Sequence, residues 1–422
     1  MTRSKQQQFL TVVSSPIVGA IIALFVLGIF LIPAAQAQTF SVIHNFSGGG
    51  DGQSPLAGVT VGPPGVLYGT ASAGGAHGYG TVFKLTHIGS GWPVSPLYEF
   101  TGGSDGAQPE GPVVIGPNGA LYGATAYGGG DNYGTVFELR PAATFCRAIL
   151  CYWNETVLHT FTGTPDGADL FFENLAFDPA GNIYGTTWQG GAYDYGTVFE
   201  LSPSGGVWTE SIPHNFGSGT DGQSPFAGVV LDSAGNVYGT TAAGGTGDMG
   251  TVYQLMPSNG GWVENILVNF DGANGSYPEG NLITDASGNL YGTTVSSGSG
   301  QNADSVVFRL APSGGGFTYS ALYTFSSPCE SSSGLAMDAS GNLFGVCYVG
   351  GAHQDGWIFE LTNCSQTCTL VDLHDFSGSD GANPCGTPVL DAHGNLYGTT
   401  QYGGSACSLV GCGVVWEIAG VR

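Results

Sequence analysis

The sequence is poor in charge and poorest in positive charge: charged residues are 9% of its 422, and 7 Lys+Arg face 31 Asp+Glu, for a formal charge of -24. Such a chain is repelled by nucleic-acid phosphate and anionic lipid, which excludes a basic-groove nucleic-acid binder. No CxxC pair occurs, so finger-type zinc sites lack their ligand spacing, and the zinc-protease string HExxH is absent too. Beyond residue 37 the single lysine is Lys84, which rules out a phosphate-binding P-loop, and no hydrophobic run there could span a bilayer. Glycine, in contrast, is abundant: 74 Gly and 22 Pro bring the chain close to low-complexity composition. With 42% hydrophobic and 12% aromatic residues it still has apolar surface for a core, so a fold must be using the glycine.

Arg3 and Lys5 precede an apolar stretch from Phe9 to Ile32, and Ala35-Gln36-Ala37 supplies the small residues a signal peptidase reads. Residues 1–37 are therefore expected to be a signal peptide and residues 38–422 a single mature domain, secreted or held in the cell envelope. An uncleaved amino-terminal anchor is the alternative; after cleavage no membrane span remains. Export to an oxidising compartment favours disulfides among the nine cysteines. Cys146 with Cys151, Cys364 with Cys368, and Cys407 with Cys412 can each clip a short loop, while Cys329, Cys347 and Cys385 leave one thiol over.

The phrase LYGT or a variant recurs with its aromatic at Tyr68, Tyr122, Tyr184, Tyr238, Tyr291, Phe344 and Tyr397. A second anchor, the last residue of HNF-like segments, falls at Phe46, Phe100, Phe161, Phe216, Phe270, Phe325 and Phe376. A period near 55 residues means a repeat architecture. Within the unit from Pro225 to Phe270, Gly228–Leu231 and Asn236–Thr241 flank a D-x-x-G turn, and Thr251–Leu255 and Trp262–Phe270 supply two further strands. The glycine beside Tyr238 predicts close approach of a neighbouring backbone. Four strands in each of seven units predict an all-β, seven-bladed β-propeller of four-stranded antiparallel blades. Strand 40–46 is of the fourth type and strand 414–418 of the third, so pairing the two ends would close the ring and remove its open edges.

GNLYGTT at Gly288–Thr294 and Gly394–Thr400, followed by a GG loop and GTVFEL at Gly134–Leu139 and Gly196–Leu201, resembles the GloVer-type tandem repeat of exported bacterial proteins. The resemblance spans roughly residues 40 to 420. It implies a repeat architecture and export, and it brings no activity or catalytic residue to transfer. Members of this family often carry one of several carboxy-terminal surface anchors; the sequence here reaches Arg422 directly after the last strand, and no such anchor is expected.

In a propeller, the loops joining strand four to the next blade and strand two to strand three emerge on one face, where function normally sits. The first set places Asp51, Asp105, Asp166, Asp221 and Asp380 four or five residues past the anchor Phe. These acids are the only metal candidates, for calcium, which takes oxygen ligands; their plainer role is as turn formers. Otherwise no cofactor is expected. His44, His159, His214 and His374, two residues before the anchor, belong to different outer strands and cannot form one site. The second loop set carries Tyr79, Tyr133, Tyr195, His77, His353, Asp131 and Asp194, with Tyr127, Trp188, Tyr348 and Tyr402 just upstream. Aromatic faces beside short polar groups fit a sugar, and blade capping is the competing role. Asp178, Asp232, Asp285, Asp338 and Asp391 belong to D-x-x-G-N turns and are structural. GxSxG at Gly102–Gly106 and GxGxxG at Gly245–Gly250 lack the following helix that their chemistry requires. Glu110, Glu173 and Glu279 break the repeat, where other blades place Ala, Ser, Gly or Cys, and are the carboxylates available for glycoside chemistry.

The function expected is an exported acidic propeller that binds or scaffolds an extracellular glycan or envelope component. A polysaccharide hydrolase or lyase is the first alternative and a purely structural surface repeat the second. The oligomeric state is not legible.

Overall fold

The computed structural model describes residues 38–142, 152–172, 174–217, 220–295, 305–326, 329–330, 333–364, 367–407 and 410–421. Among them every regular element is a strand, and seven four-stranded antiparallel sheets form the blades of a propeller. Blades one to six span residues 60–99, 114–160, 176–215, 230–269, 283–324 and 336–375. Blade seven combines residues 389–419 with the strand Thr39–Asn45, which pairs antiparallel with Val414–Ala419 and sets Phe40 opposite Ile418. The ring closes as the phase of the repeats predicts, and the anchor Phe46 stands just outside the strand. No described helix is long and apolar enough to cross a membrane.

Blade four shows how one unit builds itself. Its strands are Val230–Leu231, Val237–Thr241, Thr251–Ser258 and Gly261–Asn269, ordered from the axis outward. The innermost strand ends where Asp232 accepts the amides of Ala234 (2.8 Å) and Asn236 (2.9 Å), the self-bonded turn that short acidic side chains favour. Asp178, Asp285, Asp338 and Asp391 repeat these bonds, so these acids are structural. The glycine after each LYGT aromatic has a different reason from the one expected. A Cβ on Gly69 would lie 2.5 Å from the Phe83 ring, and one on Gly123 2.6 Å from Phe137. What approaches is the aromatic side chain of strand three, which lies flat over the strand and leaves room only for hydrogen.

Each of those rings receives the anchor Phe edge-on: Phe46 on Phe83 at 5.1 Å, Phe100 on Phe137 at 5.2 Å, Phe161 on Phe199 at 5.2 Å. Full burial of one such Phe is worth about 1.5–3 kcal/mol, and the contact recurs around the ring. Neighbouring blades are joined at the axis by threonines of the second strands. Thr70 donates to the carbonyl of Gly111, Thr293 to that of Ser333, and Thr399 to that of Ala57, the last across the closure.

Disulfides join Cys329 to Cys347, Cys364 to Cys368 and Cys407 to Cys412, and Cys385 is a free, buried thiol. The expected Cys146–Cys151 clip and the expected signal peptide at residues 1–37 lie outside the described residues.

Candidate functional site

The two loop sets share one face because they are bonded to each other. Gln53 bridges Ala73, Ala107 bridges Tyr127, Ala168 bridges Gln189 and Ala382 bridges Tyr402. Immediately after these bridges Ser54, Gln108, Asp169 and Asn383, and at the matching positions of blades four and five Ser224 and Tyr277, adopt left-handed conformations, with φ between 53° and 59°. Each donates its amide to a second-set loop of the preceding blade, as Gln108 does to the Tyr79 carbonyl (2.8 Å) and Asp169 to that of Tyr133 (3.1 Å). Such conformations cost about 1–3 kcal/mol and persist only where the surroundings enforce them, so the rim of the central channel is held stiffly.

Inside this rim is a channel cavity of about 580 Å³, lined by the innermost strands and the residues leading into them. Glu110 and Glu279 stand four residues ahead of their innermost strands, at the loop-face end, and Leu56, Phe172, Phe226 and Cys385 hold the same register in other blades. Of the Ala, Ser, Gly or Cys anticipated opposite the glutamates, only Cys385 among the described residues is in this register, the small residues such as Ala57, Ala227 and Gly386 being one position further on; Glu173 lies outside the described residues. Burial pushes the Glu110 carboxyl up to about 7, with the Asp169 charge adding to the effect. Burial and then the charge of Glu330 do the same for Glu279, also to about 7. Each channel glutamate thus faces an acid from the next blade's leading loop and holds its proton near neutral pH. Burial raises the Cys385 thiol to about 12, leaving it an unreactive donor to the Leu56 carbonyl at 3.2 Å.

An aromatic wall flanks Glu110 and Asp169. The Phe171 ring packs against Tyr127 (5.9 Å), Trp188 (5.4 Å) and Phe226 (6.1 Å), and Phe172 lies 5.1 Å from Phe226. Burial, then Asp169 and Glu110, raises the Tyr127 phenol. Across the mouth the Tyr348 hydroxyl donates to Gln401 (2.8 Å), and burial together with Cys385, Tyr402 and Glu330 raises its phenol. The described basic side chains, Lys84, Arg140 and Arg309, all belong to third strands, so the mouth has acids and aromatics but none of these cations.

Of the aromatic and polar candidates, Tyr127 and Trp188 meet on the Phe171 ring beside Glu110, and Tyr348 and Tyr402 adjoin each other near Cys385 and Glu330. Tyr79, Tyr133 and Tyr195 stand apart: they are about two-fifths exposed, and their rings cover Gly102, Gly163 and Gly217 of the adjoining loop. His77, His353, Asp131 and Asp194 are exposed on the same loops, where Asp194 accepts the Gly190 amide (3.2 Å). Sequence reasoning passed over Phe171, Phe172, Phe226, Asp169 and Glu330. Their signal was a side chain that changes from blade to blade just ahead of the recurring AGV-like segment.

The five aspartates proposed for calcium lie at separate blade junctions, each turned into its own loop. Asp51 binds the Ser47 amide (2.9 Å) and His44, Asp105 the Thr101 amide (2.8 Å) and Tyr98, and Asp380 the Ser377 amide (2.9 Å) and His374. Burial opposes ionisation of Asp51 and Asp105, but these bonds outweigh it and hold both below the usual carboxylate range. Asp166 and Asp221 are held likewise by the amides of Thr162 (2.9 Å) and Gly217 (3.1 Å), beside His159 and His214. The histidines remain apart from one another, as expected, but each meets the aspartate seven or six residues on, a pairing the sequence reading did not make.

Among solved structures, the chain is similar to the extracellular domain of a protein assigned as a one-component system from B. thetaiotaomicron, at 14% identity and a TM-score of 0.53, covering 90% of this chain and 40% of that one. It is also similar to the PQQ-bound aldose sugar dehydrogenase of Streptomyces coelicolor (14% identity, 92% and 99% of the chains, TM-score 0.44). A third is a gluconolactonase from Xanthomonas campestris (14%, 71% and 81%, TM-score 0.40). At these identities the likeness is one of fold alone. None of the curated proteins matches the sequence. The Gloeobacter/Verrucomicrobia repeat matches residues 28–152, 151–335 and 297–421, nearly the whole described propeller, and the chain therefore belongs to that repeat family.

Proposed function

We propose that this propeller is an exported binding protein whose ligand is a neutral glycan seated at the loop-face mouth of the central channel. The observation that carries the reading is the lining of that channel: Glu110, Phe172 and Glu279 face the cavity, both glutamates are raised to about 7 by burial, and Phe171, Phe226, Trp188 and Tyr127 pack behind Phe172 on the Glu110 side. Aromatic faces offer apolar contact to a sugar ring, and carboxyl groups that both donate and accept suit its hydroxyls. The acids disfavour uronate or phosphate substituents, as does the net charge of -24. Export is supported by the leader pattern in residues 1–37 and by the three disulfides among the described residues.

Calorimetry with neutral and uronate-bearing oligosaccharides tests this reading. Saturable binding of a neutral glycan, weakened at least tenfold by Phe226→Ala or Trp188→Ala, is expected. Equal binding by those variants, or a preference for uronates, would overturn it. A second reading, hydrolysis of a glycosidic bond, draws on the same two protonated glutamates, since such chemistry needs a carboxyl with a raised pKa and a partner carboxylate. New reducing ends from the wild type and none from Glu110→Gln or Glu279→Gln would select it. Neither binding nor turnover would leave a structural repeat.

A further inference from the structure

Away from the channel, two blade junctions bring a histidine, an aspartate and a glutamate together, with one ligand atom of each within 4.8 Å of the others: His159, Asp166 and Glu210, and His214, Asp221 and Glu264. The histidine comes from one blade's outer strand, the aspartate from the loop that follows, and the glutamate from the next blade's outer strand. His159 Nε2 lies 3.4 Å from Asp166 Oδ2 and 3.5 Å from Glu210 Oε1. In the second cluster His214 Nε2 is 3.1 Å from Asp221 Oδ2 and 3.6 Å from Glu264 Oε1.

A divalent zinc-class ion bound at about 2.0–2.2 Å in tetrahedral geometry sets its ligand atoms roughly 3.3–3.6 Å apart. Three of the four separations fall in that range, and the His214–Asp221 contact, a hydrogen bond at 3.1 Å, would open by a few tenths of an ångström to admit the ion. The aspartates are oriented for the role by backbone amides: Asp166 Oδ1 by Thr162, and Asp221 by Gly217 and Gly222. Ligand-orienting bonds of this kind are what metal sites require. A second observation concerns the first triad most directly: His159 Nε2 and Glu210 Oε1 are both buried atoms with no hydrogen-bond partner, so two of its three ligand atoms are unsatisfied, whereas at the Asp105 junction only Glu155 Oε1 is orphaned and no histidine stands beside it; Glu264 Oε1 is likewise without a partner of good geometry and leans on Asp221. Leaving such a group unsatisfied costs about 1–3 kcal/mol, and these are the atoms that would face the ion.

We propose that these two junctions are divalent metal sites of the zinc class, one ion per triad, with three protein ligands and a fourth position open. A nitrogen ligand and a three-member set fit such an ion and not calcium, which takes 6–8 oxygens. The remaining junctions explain why there are two sites. Where the triads have glutamate, the His44–Asp51 pair meets Val94 in the strand register, Tyr98 replaces the histidine beside Asp105, and Phe40 stacks on His374 at 3.5 Å.

The test uses the whole protein, stripped of metal by chelator and titrated with Zn²⁺ and with Co²⁺. Two equivalents of Zn²⁺ and intense visible Co²⁺ bands typical of four-coordination are expected. Glu210→Gln and Glu264→Gln should each remove one equivalent and the double variant both. Asp380→Asn, at a junction without the third ligand, should leave two. Circular dichroism and the melting curve of each variant separate lost ligation from lost folding. Stoichiometry unchanged in the double variant, no binding by the wild type, or calcium binding as tightly as zinc would each overturn the assignment.

Discussion

Blades two to four and blades five to seven share one strand frame and fill its variable positions with different chemistry. In the first arc the outer strands carry Glu155, Glu210 and Glu264, each facing an aspartate of the preceding junction, and the mouth carries the aromatic wall. In the second arc the described disulfides take over. Cys347 occupies the strand-end position where Thr187 and Thr241 pair with Thr197 and Thr251, and it is bonded to Cys329. At the rim Phe40 covers His374. The frame residues, glycine under a ring and aspartate in its turn, say how the chain folds; the positions that differ between blades say what it can do. The channel carboxyls occur in both arcs, as Glu110 with Asp169 and Glu279 with Glu330.

The strongest way to break the contrast is to remove a closure that neither arc can replace. Deleting residues 38–46 takes away the outer strand of blade seven, and loss of the cooperative melting transition is expected; an unchanged melting temperature would mean the ring does not depend on it. Next, Cys329→Ser with Cys347→Ser should cost about 3 kcal/mol in denaturant titration. Glu264→Ala, measured without added metal, should change stability by less than about 1 kcal/mol, since it leaves the His214–Asp221 bond intact and removes a buried carboxylate oxygen that has no partner. Equal costs would erase the distinction between the covalent and the ionisable arc.

Glu110→Gln and Glu279→Gln sharpen the comparison through pH. Their folded-state pKa of about 7 lies above the ordinary 4.5, so between those values the folded protein keeps protons that the unfolded chain has released. Stability therefore falls as pH rises from about 4.5 to 7 and levels off above. Each glutamine should stabilise the protein by about 1–2 kcal/mol near pH 8 and leave it unchanged near pH 4, read from melting curves across pH. The smallest effect belongs to the loop tips. Tyr79→Ala or Tyr195→Ala should cost about 0.5–1 kcal/mol and leave glycan affinity within twofold, because these rings cover glycines outside the mouth.

The strands, turns and ring closure were legible because each depends on groups close in sequence or on an exact repeat. Asp232 and Asn236 make their turn within five residues, and the anchor Phe recurs at a fixed phase. The mouth was half legible. Glu110 and Glu279 stood out as departures from the pattern, but the register was read one residue off, and Phe171 and Phe172 were hidden in a blade whose leading loop is longer by one. The loop tyrosines Tyr79, Tyr133 and Tyr195 stand apart from the channel, over glycines of the adjoining loop, a placement that depends on the neighbouring loop and not on their own segment.

By itself the sequence determined a seven-bladed, closed, acidic propeller with a glycine in each turn between first and second strands and another beside each LYGT-type aromatic. Tertiary structure alone decided which carboxyls meet. Glu210 finds His159 and Glu264 finds His214 because the outer strands of adjacent blades stand side by side one repeat apart, and Glu110 shares the channel with Glu279 because the ring brings blades two and five around one axis. Burial there, which no local pattern reports, is what keeps protons on those acids near neutral pH.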